Sequence, residues 1–556
     1  MMVRMTTADS PLEFDSDGPS KRAKAVTDAE TRLLAAVKDG EFARIPGAPN
    51  PDQTEGWKDK HTIRAEFLRH LCLHPDRYEI DPRGIQLSGA RITGTLDLRS
   101  ATLHRPLWID ESRFIAAPIL QDAATPTLAL QDCHLPGLEA DRLTVTGTLR
   151  FDGSSFSGEV CLSGATITGD LSCTKATFDN AGSTAFFADG LKCGGGVVLD
   201  SVTAMGETLL LGADITGDLD CEQAIFDNAD GFAFNAERMS VHRRFYWRAL
   251  ARPPQGAVNF AHARVGDFVD DGSGWPEAEQ LYIEGFQYEN LAGDTTVHGR
   301  CNWLDRMPKM LNSAPIFSPQ PYEQLVKVLR TAGHERDARL MAIAKLDAYR
   351  DFLKAQDAFQ DDILKIKDTE PERYRALNRN KGAVKVLRTY ATRTPNLLRR
   401  AWYGFFKAVA NYGYEPWRAG YWLTGFWLVG TLIFGWAEAA AYMRPAKERI
   451  TASVEYTLAQ SDCAERGWRY VAVPNGATPP PSSMCIPADY TAFHAITYSL
   501  DILIPIVDLH QETFWEPSSA GWRGGFLRFW LWFQIIAGWV LTTVTVVGFT
   551  GVIKKD

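Results

Sequence analysis

The stretch from Val145 to Phe178 repeats every eleven residues, as VTGTLRFDGSS, FSGEVCLSGAT and ITGDLSCTKAT, and this period limits the chain more than any other feature. Apolar residues alternate with polar ones on the two-residue period of a strand. The recurring Gly and the Ser-Gly or Thr-Lys pairs punctuate corners. The unit returns as ITGTLDLRSAT from Ile92 and as CGGGVVLDSVT, AMGETLLLGAD and ITGDLDCEQAI from Cys193, Ala204 and Ile215. A longer repeat overlies it. Ile167, Leu171, Cys173, Ala176 and Phe178 map onto Ile215, Leu219, Cys221, Ala224 and Phe226, as do Asn180 onto Asn228 and Phe186 onto Phe234.

A strand with three inward apolar side chains cannot bury its face alone, whereas identical strands stacked in register bury a continuous column. The sequence therefore predicts a multidomain chain: a β-solenoid with coils of twenty-two residues, followed by an α-helical adaptor and two transmembrane helices; runs such as LSGATITGDL and LLGADITGDL resemble pentapeptide-repeat-like β-helices, which implies a right-handed parallel β-helix. Six to eight coils between Ile85 and Val269 would give a rod of roughly 30 to 40 Å. The repeated Gly is either a tight corner or a backbone approach to a ligand, and its recurrence in every unit favours the corner. Cys173 and Cys221 fall at the same inward position, as small core hydrophobes.

With 556 residues, 45% of them apolar, and a formal charge of −9, the chain has room for several domains and is not a nucleic-acid-binding body. Its nine cysteines form no CxxC and no Cys/His cluster, so no metal site and no cofactor is expected. The order expected is a disordered tail (1–26), a helical cap (27–84), the solenoid (85–270), a helical-hairpin adaptor (271–372), a basic juxtamembrane segment (373–420), a first span (421–443), an extracytoplasmic loop (444–525) and a second span (526–553). In the cap, Thr27 and Glu30 make a helix start with Gly40 as its stop. A second helix opens near His61 or Thr62, with Ile63, Phe67, Leu68 and Leu71 on one face. His70 and His74 have the spacing of a helical metal pair, without a third ligand nearby. Where the repeat decays, Arg243, Arg244, Trp247 and Arg248 are a candidate anion or planar-ligand patch, or else a last coil with surface pairing. The hairpin about Gly333 suggests partner docking or self-association.

From Arg373 to Arg418 there are eleven Lys or Arg and one acid, Glu415; the connection from Arg444 to Arg523 has six bases and nine acids. The positive-inside rule then places both termini in the cytoplasm of a bacterial inner-membrane protein. Arg393, Arg399, Arg400, Lys407 and Arg418 are expected to face anionic lipid rather than nucleic acid. Cys463 and Cys485 lie in the exported loop and could pair there. Between the spans, His494, Asp501 and Asp508 are seven apart and would share a face of a continuous helix, making 491–509 a re-entrant or interfacial segment and a candidate membrane path. Pro505 would kink it.

The segments RGIQLSGARITGTLDL, PQPYEQLVKVLRTAGHERDARLMAIAK, NYGYEPWRAGYW and YSLDILIPIVDLHQETFW resemble a family of uncharacterised bacterial two-span membrane proteins with a pentapeptide-repeat-like β-solenoid. Some of its members carry a membrane-associated oxidoreductase label. The residues do not favour that label: the Gly cluster Gly194-Gly195-Gly196 lies inside the repeat and precedes a strand, not a helix. Three functions follow as expectations. They are a membrane-anchored scaffold or binding module, a channel-like or sensor assembly with the solenoid as regulator, and an enzyme acting along a solenoid groove.

Overall fold

The computed structural model describes residues 25–369 except 273, 294–295 and 312–313, then 397–446, 469–472, 483–486, 490–519 and 521–549. The chain divides into two compact units, one comprising Met1–Ala348 with Ala376–Val386, the other Tyr349–Arg375 with Leu387–Asp556.

The first unit is a β-solenoid of about nine turns. Its strands join in two parallel sheets, of 16 and 12 strands, in each of which separate ladders merge at one long strand, Ser240–Trp247 in the larger and Thr177–Phe187 in the smaller. Val145 pairs with Ile167, twenty-two residues on, and Cys193 with Ile215 likewise, as the sequence period requires. Ile167, however, pairs with Cys193 and Ile215 with Val241, twenty-six residues on. The four extra residues lie in the matching strands Thr177–Phe187 and Ile225–Asn235, whose excursions are closed by the same clamp: Asn180 Nδ2 donates to Thr184 O at 2.7 Å and Asn228 Nδ2 to Phe232 O at 2.9 Å. The longer repeat in the sequence is thus an insertion in alternate coils.

Two columns of residues with positive φ turn the chain. One runs through Ser100, Asp122, Arg142, Gly164, Gly190, Gly212, Arg238, His262 and Gly285, the other through Gly89, Glu111, Asp132, Gly153, Lys175, Ser201, Gln223, Ala249 and Gly272. In the first column each turn is closed by a backbone bond such as Ala165 N to Leu162 O, while the left-handed residue donates to the next coil, as Gly164 N does to Asp189 O at 2.8 Å. A type II turn needs this φ at its third residue. The repeated Gly of the eleven-residue unit makes a different corner. Gly169 N donates to Gly147 O, Gly195 N to Gly169 O and Gly217 N to Gly195 O, all at 2.8–2.9 Å. A Cβ on Gly169 would stand 2.7 Å from Gly147 O, so coils stack at this corner only because no side chain intervenes.

Inside, Leu149, Leu171, Val197 and Leu219 form one column, and Cys173 and Cys221 are fully buried. Burying each such aliphatic side chain contributes roughly 1.5–3 kcal/mol. The solenoid continues beyond residue 270: Arg264–Asp270 pairs with Gln287–Ala292, so the helical adaptor expected from residue 271 has its first helix only at Val297. The last coils are filled by Trp247, Phe260, Phe268, Trp275, Phe286 and Tyr288, an aromatic core that no longer resembles the Ile/Leu/Ala repeat.

Both ends are closed. Helix α1 (Asp28–Asp39) starts at Thr27, whose Oγ1 accepts from Glu30 N, and stops at Gly40. Thr62–Arg64 is a strand paired with Arg91–Thr93, so helix α2 (Ala65–Leu73) begins later than expected, the strand pairing having taken its first turn. Glu30 is buried and binds Arg64 Nε at 2.9 Å. At the far end α3 (Val297–Leu304) carries Arg300, which binds Asp270. Helices α4 (Gln320–Thr331) and α5 (Glu335–Thr369) form a hairpin turned at Gly333 (φ 83°). Gln320 Oε1 accepts from Gly285 N at 2.7 Å, while Gln320 and Gln324 donate to Phe286 O and Tyr288 O. The α4 side chains thereby bond the open edge of the last coil, where an unpaired edge would otherwise template further strands.

The second unit holds the end of α5, α6 (Leu397–Ala410), α7 (Arg418–Ala439), the short α8 (Ala495–Leu503) and α9 (Gly521–Phe549). Among the described residues one helix, over Gly521–Val547, is long and apolar enough to cross a membrane, not the two expected. At twenty-two residues α7 has the length, but Gly420, Gly425, Gly430, Gly435 and Glu438 dilute its apolar content. The tail, the basic segment through Arg393 and the Cys463–Cys485 pairing fall outside the described residues.

Candidate functional site

The glycine corner opens on the side of the solenoid into a groove of about 480 Å³. Its floor is the bare backbone of Gly194–Gly196 and Gly217, and its walls carry Asp170, Asp218, Arg243 and Tyr246. The two carboxylates are equivalent in the longer repeat and do the same thing: Asp170 Oδ1 accepts from Gly196 N at 2.8 Å, Asp218 Oδ1 from Arg244 N at 3.0 Å. Each fixes the corner of the following coil. Burial raises the neighbouring Asp220 carboxyl above its ordinary value, partly offset by the Glu222 N–H that it accepts. A wall of carboxylate acceptors, one guanidinium and a phenol can bind a polar ligand by hydrogen bonds. The expectation that the glycines are corners holds, and the groove is a by-product of the same corner. The signal in the sequence was the match of Asp170 to Asp218 across the longer repeat.

Trp247 does not belong to the cationic patch, whose arginines gather instead about Tyr246, with Arg244 Nη1 donating to its OH at 3.3 Å. Trp247 points inward, fully buried, with Nε1 donating to Gly274 O at 2.7 Å and its ring stacked 5.6 Å from Phe226. Alternation from Trp247 sends Arg244 and Arg248 outward, and a register shift between Val241 and Arg244 leaves Arg243 outside as well; Arg243 meets Asp218 at 3.6 Å, Arg244 meets Asp267 at 3.4 Å and Arg248 pairs with Glu222 while its guanidinium lies 5.2 Å over Tyr246. Positive charge here is locally cancelled. His70 and His74 pack edge to face at 4.5 Å, His70 Nδ1 lies 2.8 Å from Tyr78 OH, and among the described residues no group of three ligating side chains could hold a metal.

His494, Asp501 and Asp508 do not share a helix face. Helix α8 ends at Leu503, ahead of Pro505; His494 is its exposed N-cap, and Asp508 is exposed in the loop beside His510 at 2.7 Å. Asp501 instead is buried and accepts from Leu509 N at 2.6 Å and Glu512 N at 2.9 Å, tying the returning loop to the helix. What sequence reasoning missed is the polar seam that holds α8. Gln534 of α9 is fully buried, its Nε2 donating to Ser499 O at 3.0 Å and contacting Ser499 Oγ at 2.9 Å, and Trp530 Nε1 donates to its Oε1. Ser499 Oγ in turn donates to Trp427 O, and Trp427 Nε1 to Ile496 O. Gly430 makes room for this seam and Gly538 for the Leu503 backbone, where a Cβ would come within 1.8 Å of the carbonyl oxygen. Of the basic residues, Arg400 pairs with Asp357 at 3.0 Å, Arg418 pairs with Glu415, and Arg399 reaches Tyr349 OH.

No protein-family model, no curated protein and no solved structure matches the chain.

Proposed function

We propose that this chain is a membrane-anchored scaffold, a rigid β-solenoid that binds a partner and is held at the inner face of a bacterial cytoplasmic membrane. The observation that carries the reading is a solenoid closed at both ends and grooved on one side, in one chain with a helix of membrane-crossing length and apolarity. In this reading α9 crosses the bilayer with α7 beside it as a second span, both termini are cytoplasmic, and the basic residues before α7 meet anionic lipid. Closed ends favour presentation over polymerisation, because a partner then has the flank rather than the strand edges to engage. The test is the full chain with Arg243→Glu and Tyr246→Ala in the groove, together with a deletion of Ile85 to Val269. Loss of co-purifying protein in both, with membrane retention unchanged, is expected. An identical set of co-purifying proteins in all three would sink the reading.

A second reading, a channel-like or sensor assembly regulated by the solenoid, is favoured by α8. It is a nine-residue helix, about half a bilayer core in length, buried through Ser499 and Gln534. Half-helices with returning loops occur in membranes where protein or water satisfies the loop backbone. Conductance that falls on Asp501→Ala in a normally inserted protein supports it; unchanged conductance removes it.

A further inference from the structure

Helix α6 carries an apolar stripe that nothing among the described residues of its unit covers. Leu398, Trp402 and Phe405 follow one another at helical spacing and are 84%, 60% and 41% exposed. The same stripe runs on to Val409, which is buried with Ala410 against Leu541 of α9, with Val544 packed beside them. Leu541 lies twenty residues along α9, toward its C-terminal end. The stripe therefore begins where the membrane-crossing helix ends. It cannot roll inward, because the other side of α6 is held by α5: Arg400 meets Asp357 at 3.0 Å, and the Tyr403 and Tyr349 rings lie 5.6 Å apart.

We propose that α6 lies in the plane of the bilayer interface, with Leu398, Trp402 and Phe405 inserted at the boundary of headgroups and acyl chains, and that the lipid it selects is anionic. This rests on the anchor reading of α9. Helices of this kind combine an apolar face with cationic residues, and indole rings settle at headgroup level. Over its fourteen residues α6 has Arg399, Arg400 and Lys407 and no acid; with Arg400 taken up by Asp357 of α5, the helix keeps a net positive charge that complements an anionic surface. At its C-terminal end a recess of about 430 Å³, lined by Glu415, Trp417, Arg418, Tyr421 and Trp422, gives a headgroup an aromatic seat in which Arg418 is already paired with Glu415.

The experiment uses the full chain in nanodiscs of phosphatidylglycerol with phosphatidylcholine, or of phosphatidylcholine alone, each containing a lipid with a photoactivatable acyl chain, followed by peptide mapping. The peptide bearing Leu398 to Phe405 is expected to be labelled about fivefold more strongly in the anionic discs, the effect of roughly one basic side chain at such a surface. The triple variant Leu398→Gln, Trp402→Gln, Phe405→Gln is expected to lose that label while α9 keeps its own. Labelled α9 without labelled α6 overturns the proposal, and equal labelling in both lipids overturns its anionic selectivity. An unlabelled α9 would instead overturn the anchor reading beneath it.

Discussion

Arg300 grips Asp270 through both guanidinium nitrogens, Nη1 to Oδ2 at 2.7 Å and Nη2 to Oδ1 at 2.6 Å, with both side chains about 2% exposed or less. Trp275 Nε1 donates to the same carboxylate at 3.2 Å, and the Trp303 ring lies 5.4 Å from the guanidinium. At the opposite end Arg64 and Glu30 make the corresponding buried pair. Each terminal helix is fastened to the solenoid by one desolvated ion pair. Removing one partner of such a pair leaves a buried charge uncompensated, at about 3–5 kcal/mol. Arg300→Met should cost that much in denaturant unfolding, and Asp270→Asn combined with Arg300→Met should recover a large part of it. A double variant as unstable as the single one would show that the pair is not the fastening.

Gln320 and Gln324 stand in for a missing strand. Replacing both with Leu keeps the volume of α4 but leaves Gly285 N, Phe286 O and Tyr288 O without these partners, at about 1–3 kcal/mol for each buried group so exposed. The double variant should self-associate through the open edge. Light scattering over a concentration series reads this, and a monodisperse variant indistinguishable from the parent would contradict it.

Two glycines separate conformational from steric cost. Gly212 has φ 62° and open space where a Cβ would be, so Gly212→Ala should cost about 1 kcal/mol through the left-handed backbone alone. Gly169→Ala must push the Gly147 carbonyl and should cost roughly 2–3 kcal/mol. Paired unfolding curves give the order, and a larger loss at Gly212 would refute this account of the corners.

Burial lowers the His70 imidazole to about 4, assisted by the positive fields of His74, Arg77 and Arg69. A depressed folded-state value means that the cap is fully stabilised above the ordinary histidine range and loses that contribution as pH falls from about 6.5 toward 4. His70→Gln should flatten this acid limb of the unfolding midpoint measured between pH 7.5 and 4; an unchanged slope would assign the limb to other groups.

The solenoid was legible because its regular coils repeat the same side chains at the same inward points: Leu149 over Leu171, Cys173 and Cys221 at equivalent depth. The coils after Val241 escaped the pattern because Trp247, Phe260 and Phe268 fill the same space with larger rings and need no matching neighbour. The arginine patch lost Trp247 to alternation, since Arg244 and Arg248 lie an odd number of residues from it and face the other way. Spacing by seven around Asp501 failed because the helix ends before Pro505, and the seam of Ser499 and Gln534 was invisible because its partners lie thirty-five residues apart. The groove became readable only when Asp170 and Asp218 proved to bond the corners of successive long coils.

Alkaline extraction of membranes containing the full chain tests whether α9 fastens the solenoid to a bilayer. The parent should stay in the membrane pellet. A variant with Trp532→Asp and Ile536→Asp, two side chains about 60% exposed on α9, should move to the supernatant with its solenoid still resistant to protease. Extraction of the parent under the same conditions, or retention of the variant, would contradict the account.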